Sequence, residues 1–246
     1  KTQMKHVMDG IVAIDKNDVN LSNANMSSHT PAGQMMTFAS EVTKDYTYKY
    51  LLPKRFAEAH QLGDIHIHDL DYYPTKTTTC IQYDLDDLFE RGFHTKNGSI
   101  RTPQSIQSYA TLATIICQTN QNEQHGGQAI PAFDFFMAKG VLKSYQKAVT
   151  SILSFFLEMK GYNVAENDVQ KTVNQQLTTI IPSAEIQKEF LTTLNKEGFN
   201  VNEDELKHIL NKAYERTRKD THQAMEGFIH NLNTMHSRGG NQVVFS

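Results

Sequence analysis

Residues 63–80 read GDIHIHDLDYYPTKTTTC, and this stretch combines an alternating apolar and polar pattern with histidines, aspartates and one cysteine. Its two isoleucines alternate with His66 and His68. A period of two is typical of a strand and places both histidines on one face. A threonine run then leads to Cys80. The stretch therefore predicts a short strand followed by a polar loop.

Proline and glycine divide the rest of the chain into helices. The pairs Thr30–Pro31 and Thr102–Pro103 predict helix starts, because a hydroxyl side chain caps the helix and proline fits its first position. Gly63 and Gly92 predict helix ends. Apolar residues at helical spacing predict the buried face of the first helix: Met35, Phe38, Ala39, Val42 and Tyr46.

Two long apolar periodicities predict long helices at residues 133–160 and 202–235. Asn202 and Glu205 have the spacing of a reciprocal cap at the second of these helices. The chain then ends on a predicted strand at residues 242–245.

A few short strands separated by long helical segments favour a parallel sheet with helices packed outside it, as in an α/β barrel or half of one. A strand at the very end of the chain leaves an unpaired edge. We therefore expect residues 1–246 to be a single unit cut from a larger domain.

The composition is that of an ordinary globular protein. The 246 residues are 39% hydrophobic and 21% charged, with a net charge of −3, which argues against nucleic acid or a membrane surface as partner. No apolar run approaches the ~20 residues that span a bilayer, and no secretory signal is visible. The first residue is Lys1, so an upstream segment is expected to be missing. The two cysteines lack CxxC spacing and predict a reducing, cytoplasmic environment.

The polar cluster of His66, His68, Asp69 and Asp71 has three interpretations. Imidazole and carboxylate groups bind zinc or iron, although a third ligand would have to come from elsewhere. The same side chains could instead satisfy backbone groups of a loop. They could also form the floor of an active site at the carboxyl end of a strand, where α/β barrels carry their chemistry.

The two cysteines have different settings. Cys117 lies in an apolar helical pattern and is predicted to be core. Cys80 follows a polar threonine run, where it is either a small buried hydrophobe or a reactive thiol.

Two downstream motifs contain paired glycines: NEQHGGQ at residues 122–128 and SRGGNQVVFS at residues 237–246. Adjacent glycines let a backbone turn tightly or approach a ligand closely. Each motif is therefore either a structural turn or a loop that contacts phosphate or ribose through its N–H groups. Neither is a P-loop, since the GK[ST] element is absent.

In combination, these motifs resemble the anaerobic ribonucleoside-triphosphate reductases, a glycyl radical enzyme family. The resemblance follows the family's order at NAN (23–25), TPAGQM (30–35), GDIHIHDLDYY (63–73), TTTC (77–80), NEQHGGQ (122–128) and SRGGNQVVFS (237–246). HIHDLDYY followed closely by TTTC is its most specific part. Val244 departs from the family pattern, which has proline there.

The resemblance implies the helix-rich first half of a ten-stranded glycyl-radical-type α/β barrel, incomplete at the C-terminus. It implies reduction of ribonucleoside triphosphates to deoxyribonucleotides without oxygen. A glycyl radical outside this chain would generate a thiyl radical on a finger-loop cysteine, with formate as the expected reductant.

The resemblance also assigns residues. Cys80 matches the reducing cysteine on the opposite face of the substrate, and His66 matches a histidine on the reductant side that shuttles a proton or orients a small anion. No metal site is implied within this chain. The residues implied to bind substrate are Asn25, His68, Gln124, Gly126, Gly127, Gln128, Asn241 and Gln242.

The finger-loop cysteine, the zinc-binding cysteines and the glycyl radical residue of the family have no counterpart in this sequence, so we expect zinc only in the missing C-terminal part. The implied partners are a radical-SAM activating enzyme, ATP and deoxynucleotide effectors, and a second copy in a homodimer. Two alternatives remain: a nucleotide-binding regulatory or dimerisation module without catalysis, and another glycyl radical enzyme that acts on a small carboxylate.

Overall fold

Helices and a small parallel sheet make up the structure. The computed structural model describes residues 5, 8–10, 31–95, 98–121, 124–234 and 243–245. The helices are α1 (Pro31–Tyr46), α2 (Lys54–Leu62), α3 (Leu85–Arg91), α4 (Ile106–Asn120), α5 (Phe133–Met159), α6 (Glu166–Gln176), α7 (Ala184–Lys196) and α8 (Glu203–Thr234). A π-helical turn (Thr47–Leu51) follows α1, and a 3-10 turn (Tyr73–Thr75) precedes the first strand.

The strands form two sheets among the described residues. In the first, β1 (Ile81–Gln82), β4 (Gln128–Ile130) and β5 (Val243–Phe245) lie in the order β1-β4-β5, and both pairings are parallel. In the second, β2 (Phe93–Thr95) and β3 (Gly98–Ile100) form an antiparallel hairpin. The predicted parallel strands and the predicted terminal edge strand are confirmed, and the helix-rich content fits part of an α/β fold.

The chain divides into two compact units. The sheet unit takes the described residues of Lys1–Tyr83, Cys117–Pro131 and Met235–Ser246, and the helical unit takes Asp84–Ile116 and Ala132–Thr234. The parallel sheet and the sequence motifs lie in the sheet unit. The prediction of one truncated catalytic unit over residues 1–246 stays a prediction.

The helical unit is built around one apolar cluster contributed by α5, α6, α7 and α8. Its fully buried members are Val149, Leu153, Leu157, Val173, Leu177, Phe190 and Ala213. Each large side chain buried in this way contributes about 1.5–3 kcal/mol through removal of apolar surface from water. The two long helices are thus stabilised mainly by packing rather than by intrinsic helix propensity.

The helix ends follow the predicted chemistry except at Thr102–Pro103, because α4 begins only at Ile106, where the Ser105 hydroxyl accepts from the Ser108 N–H. Asn202 Oδ1 accepts from the Glu205 N–H at 2.9 Å, and Glu205 Oε2 accepts from the Asn202 N–H at 2.9 Å, so the reciprocal cap of α8 is confirmed. Lys160 donates to the same Glu205 oxygen at 2.8 Å and lowers the pKa of that carboxyl. Gly63, with φ of +83°, ends α2 in the left-handed conformation that glycine adopts readily.

Two predictions from periodicity are wrong. Residues 64–68 form bends and coil rather than a strand, because the Asp64 N–H donates to the Ala59 carbonyl at the end of α2 and the Ile67 N–H donates to His60 Nδ1. The predicted buried stripe of α1 is also wrong at Met35, which is 67% exposed, and at Tyr46, which is 49% exposed. A helical period identifies an apolar face but does not supply the surface that covers it.

None of the helices in the described part of the chain has the length and apolar character needed to cross a bilayer.

Close packing between α4 and α5 gives a test of the helical unit. A Cβ on Gly140 would lie 2.7 Å from Cγ and 3.1 Å from Cβ of Tyr109. Those atoms sit next to the Tyr109 backbone and cannot swing away, and the ring packs edge-on against Phe89 at 4.8 Å. Gly140→Ala should therefore destabilise the protein by about 1–3 kcal/mol from overpacking, which outweighs the ~1 kcal/mol gain in helix propensity. Urea denaturation measures the change.

Gly227, in α8, is the matched control. A Cβ there would meet nothing within 4 Å, so Gly227→Ala should stabilise the protein by about 0.5–1 kcal/mol. If both substitutions shift the urea midpoint in the same direction, then the contact between Gly140 and Tyr109 does not decide the packing.

Candidate functional site

Two of the sequence motifs meet at one edge of the parallel sheet. Cys80 directly precedes β1 and Gly127 directly precedes β4. Ile81 pairs with Gln128, and Gln128 pairs with Val243. Because the strands are parallel and in register, the residues that enter them share the amino-terminal edge. The interpretation in which His66, His68, Asp69 and Asp71 lie at the carboxyl end of a strand is wrong, because residues 64–68 form no strand and the loop precedes β1.

At Gly126, the backbone of the NEQHGGQ motif lies against the backbone just before Cys80. Its φ is +118°, and a Cβ there would lie 1.6 Å from the Thr79 carbonyl oxygen. The Ile81 N–H donates to the Gly127 carbonyl at 3.1 Å, which fixes the start of β1 on the same turn. This glycine is therefore required by close approach of two backbones, as the turn interpretation predicts.

The two thiols differ as predicted. Cys80 is exposed, and a Cβ on Gly127 would lie 3.9 Å from its Sγ. Cys117 is 2% exposed within α4 and is core. Burial raises the pKa of the Cys117 thiol to about 12, so it stays protonated and unreactive at neutral pH. Only Cys80 presents a thiol at the surface.

The loop between α2 and β1 is tied down at several points. Thr47, fully buried in the π-helical turn, donates its hydroxyl to the Leu70 carbonyl at 3.1 Å. Ser40 of α1 donates to Asp71 Oδ2 at 2.7 Å. These bonds hold the loop against α1 and the π-helical turn. The interpretation in which the side chains of the cluster satisfy backbone groups of the loop stays a prediction.

Asp69 connects the two motifs. It has a φ of +51°, and its carboxylate lies between two imidazoles: Oδ2 is 2.7 Å from His68 Nδ1, and Oδ1 is 3.5 Å from His125 Nε2. His125 stacks on Tyr72 with ring centroids 3.8 Å apart and planes at 9°. Burial, with Asp71 and Asp69 nearby, raises the pKa of the Tyr72 hydroxyl.

His125 and Tyr72 are site residues that the sequence reasoning missed. Both fall within the motifs, at residues 122–128 and 63–73, so position within a motif was the available signal. Their pairing across more than fifty residues becomes visible only in three dimensions.

His66 is exposed and belongs to a short row of rings. Its centroid lies 5.4 Å from that of His60 and 5.7 Å from that of His68. Within the described residues, no group of three or more His, Cys, Asp or Glu side chains is arranged to hold a metal ion. The imidazoles of His66 and His68 are exposed, and Nδ1 of His68 is paired with Asp69.

The two glutamines of the second motif point inwards. Gln124 is 8% exposed, and its amide lies 3.4 Å from the carbonyls of both Gly126 and Gly127. Gln128 is 1% exposed and accepts a hydrogen bond from the Tyr83 hydroxyl. Both therefore support the turn, and their predicted contact with substrate stays a prediction. Asn25, Asn241 and Gln242 lie outside the described residues.

Comparison with known proteins identifies the same family in each case. A family model described as anaerobic ribonucleoside-triphosphate reductase matches residues 22–246. The anaerobic ribonucleoside-triphosphate reductase of Salmonella typhimurium is 35% identical over 126 residues, which is 51% of this chain and 18% of that protein. The Haemophilus influenzae protein of the same name is 32% identical over 149 residues (60% and 21%). The enterobacteria phage T4 protein of that name is 28% identical over 167 residues (68% and 27%). The matched segments thus span about a fifth to a quarter of these relatives' lengths.

Proposed function

Because this chain belongs to the anaerobic ribonucleoside-triphosphate reductase family, we propose that it forms part of an enzyme that reduces ribonucleoside triphosphates to deoxyribonucleotides. The observation that carries the proposal is the single exposed thiol, Cys80, at the sheet edge where two motifs converge. A reducing thiol must reach the substrate, and of the two cysteines Cys80 is the exposed one. Both cysteines are free thiols, which suits the reducing cytoplasm proposed for the protein.

The proposed roles follow from exposure and charge. Cys80 supplies the reducing thiol to the substrate, and His66 holds or moves a proton on the reductant side. The exposed imidazole N–H groups of His66 and His68 suit a small carboxylate such as formate. Gly126 and Gly127 place backbone close to Cys80, where ribose would lie. A glycyl radical, when present in the complete protein, supplies the unpaired electron for the reaction.

The remaining partners belong to the same proposal: a radical-SAM activating enzyme for the complete protein, and a homodimer.

An anaerobic assay of the complete protein tests the proposed reductase function, with formate, the activating enzyme and all four ribonucleoside triphosphates. Deoxynucleotide formation is the expected result. Turnover of a small carboxylate without any need for a nucleoside triphosphate would instead favour a different glycyl radical enzyme.

We expect the 246-residue chain alone to form no deoxynucleotide in that assay. Two thiols on opposite faces of the ribose are needed, one to take a hydrogen atom and one to reduce. The sequence has only two cysteines, and Cys117 is buried and protonated. Measurable turnover by the chain alone, abolished by oxygen, would contradict this expectation.

A polar groove in the helical unit supports a second proposed function, the binding of effector nucleotides. The groove has a volume of about 490 Å³, and Lys147 and Arg216 contribute cationic groups while Glu166 and Asp220 contribute carboxylates. Within the described residues, neither cation forms an ion pair. Two cations in a polar groove of this size suit the phosphates of a nucleotide, and the carboxylates suit its ribose hydroxyls.

Lys147→Ala and Arg216→Ala should each weaken deoxynucleoside triphosphate binding by about tenfold or more, because each loses a charge-assisted contact of about 1.5–3 kcal/mol. Lys171→Ala is the control, since Lys171 is exposed and pairs with Asp168 on α6 outside the groove. Isothermal titration measures the affinities, and sedimentation with and without deoxynucleotides tests whether binding is coupled to dimer formation. Unchanged affinity in both groove variants would exclude this site.

A further inference from the structure

The position of the Cys80 thiol is determined by its backbone rather than by its own packing. The side chain is exposed, so no enclosing surface holds it. The backbone on either side rests on the neighbouring turn, through the bond from the Ile81 N–H to the Gly127 carbonyl and through the approach of Gly126 to Thr79. Whatever holds that turn therefore also holds the thiol.

His125 anchors the turn from the side of the first motif, in addition to the bonds that Gln124 makes within it. It directly precedes Gly126, and its side chain is only 17% exposed. Its ring stacks on Tyr72 at 3.8 Å, and its Nε2 lies 3.5 Å from Asp69 Oδ1. That N···O distance exceeds the range of a direct hydrogen bond, so the stack is the stronger of the two contacts.

The surface on which His125 stacks is itself fixed. The Tyr72 N–H donates to the Asp69 carbonyl at 2.9 Å, and the intervening Asp71 accepts from Ser40 of α1 at 2.7 Å. A continuous set of contacts therefore leads from α1 through Tyr72 and His125 to the turn beside Cys80.

We propose that His125 is a positioning residue for Cys80: its ring, stacked on Tyr72, fixes the 126–127 turn and thereby the direction of the thiol. The value of this arrangement for catalysis depends on the proposed reductase function. The arrangement itself is a property of the chain, and it can be measured without any turnover.

Cys80 is a natural attachment point for a probe, because Cys117 is buried with a pKa of about 12. A nitroxide attached through a methanethiosulfonate reports the mobility of residue 80 by electron paramagnetic resonance. The rate of alkylation by iodoacetamide, with the site identified by mass spectrometry, reports thiol accessibility on the unlabelled chain. Both measurements use the 246-residue chain.

His125→Ala removes the stack. We expect the nitroxide spectrum to gain a mobile component and the alkylation of Cys80 to accelerate by about threefold or more. His125→Phe keeps an aromatic ring on Tyr72 and should retain wild-type behaviour within about twofold. His208→Ala, an exposed position of α8, is the control and should change neither measurement.

Unchanged mobility and alkylation in His125→Ala would overturn the proposal, as would a His125→Phe variant as perturbed as His125→Ala. If His125→Ala does not fold by circular dichroism, His125→Leu against His125→Phe makes the same comparison, and equal rates in that pair also overturn it. Absence of reductase activity in the complete wild-type protein, with His125→Ala still loosening residue 80, would count against the proposed function instead. The two failures are therefore distinguishable.

Discussion

Replacing Cys80 by alanine in a complete reductase is expected to abolish deoxynucleotide production while leaving the glycyl radical intact. The thiol is exposed beside the 126–127 turn, where it can reach a substrate. A reducing thiol acts after the substrate radical has formed, so radical generation does not depend on it. Electron paramagnetic resonance measures the radical content, and product yield is measured on the same samples.

Cys117→Ala is the matched control for that experiment. Cys117 is 2% exposed in α4, so its removal leaves a small cavity that costs about 1 kcal/mol of stability and spares the chemistry. Full turnover by Cys80→Ala would show that Cys80 is not the reducing thiol. Loss of the radical in Cys80→Ala would place its role before substrate activation.

Several helix limits could be predicted because they depend on neighbouring residues. The caps of α2 and α8 are made by groups within a few positions, such as Gly63 and the Asn202–Glu205 pair. The burial of Cys117 was also predictable, since a single helix face determined it. Local chemistry of this kind is fully contained in a short window of sequence.

Features that depend on distant residues could not be predicted in the same way. The DIHIHD segment alternates like a strand, yet hydrogen bonds to the end of α2 hold it as a loop. The strands of the parallel sheet have only two or three residues each, too few for a period to be visible. Their parallel pairing depends on backbone register between segments far apart in the chain.

The candidate site likewise combines features that the sequence could predict with a contact between distant residues that it could not. The exposed thiol of Cys80 and the close approach of the glycine turn were among the alternatives that the sequence offered. The stack of His125 on Tyr72 was not, because neither residue type nor spacing relates the two. Their contact is a property of the folded loops, which bring the two motifs to one sheet edge.

Gly126→Ala is expected to have a large structural effect at the edge of the parallel sheet. An added Cβ would lie 1.6 Å from the Thr79 carbonyl oxygen, at a φ of +118° that side chains other than glycine rarely adopt. Backbone strain of about 1–3 kcal/mol then adds to overpacking of about 1–3 kcal/mol. We expect a total of about 3 kcal/mol or more, enough to separate the turn from β1. Amide exchange at Ile81 and Tyr83, which donate to the Gly127 and Ala129 carbonyls, should rise sharply.

Gly127→Ala separates this effect from a general intolerance of the motif. A Cβ there would meet only the Cys80 Sγ, at an ordinary contact distance of 3.9 Å, so stability should change by no more than about 0.5 kcal/mol. The same substitution places a methyl group beside the thiol and should slow the alkylation of Cys80. Two adjacent glycines would then affect different properties, with Gly126 controlling the fold of the edge and Gly127 controlling access to the thiol. Equal destabilisation by the two substitutions would contradict this division, because the close backbone approach exists at Gly126 alone of the pair.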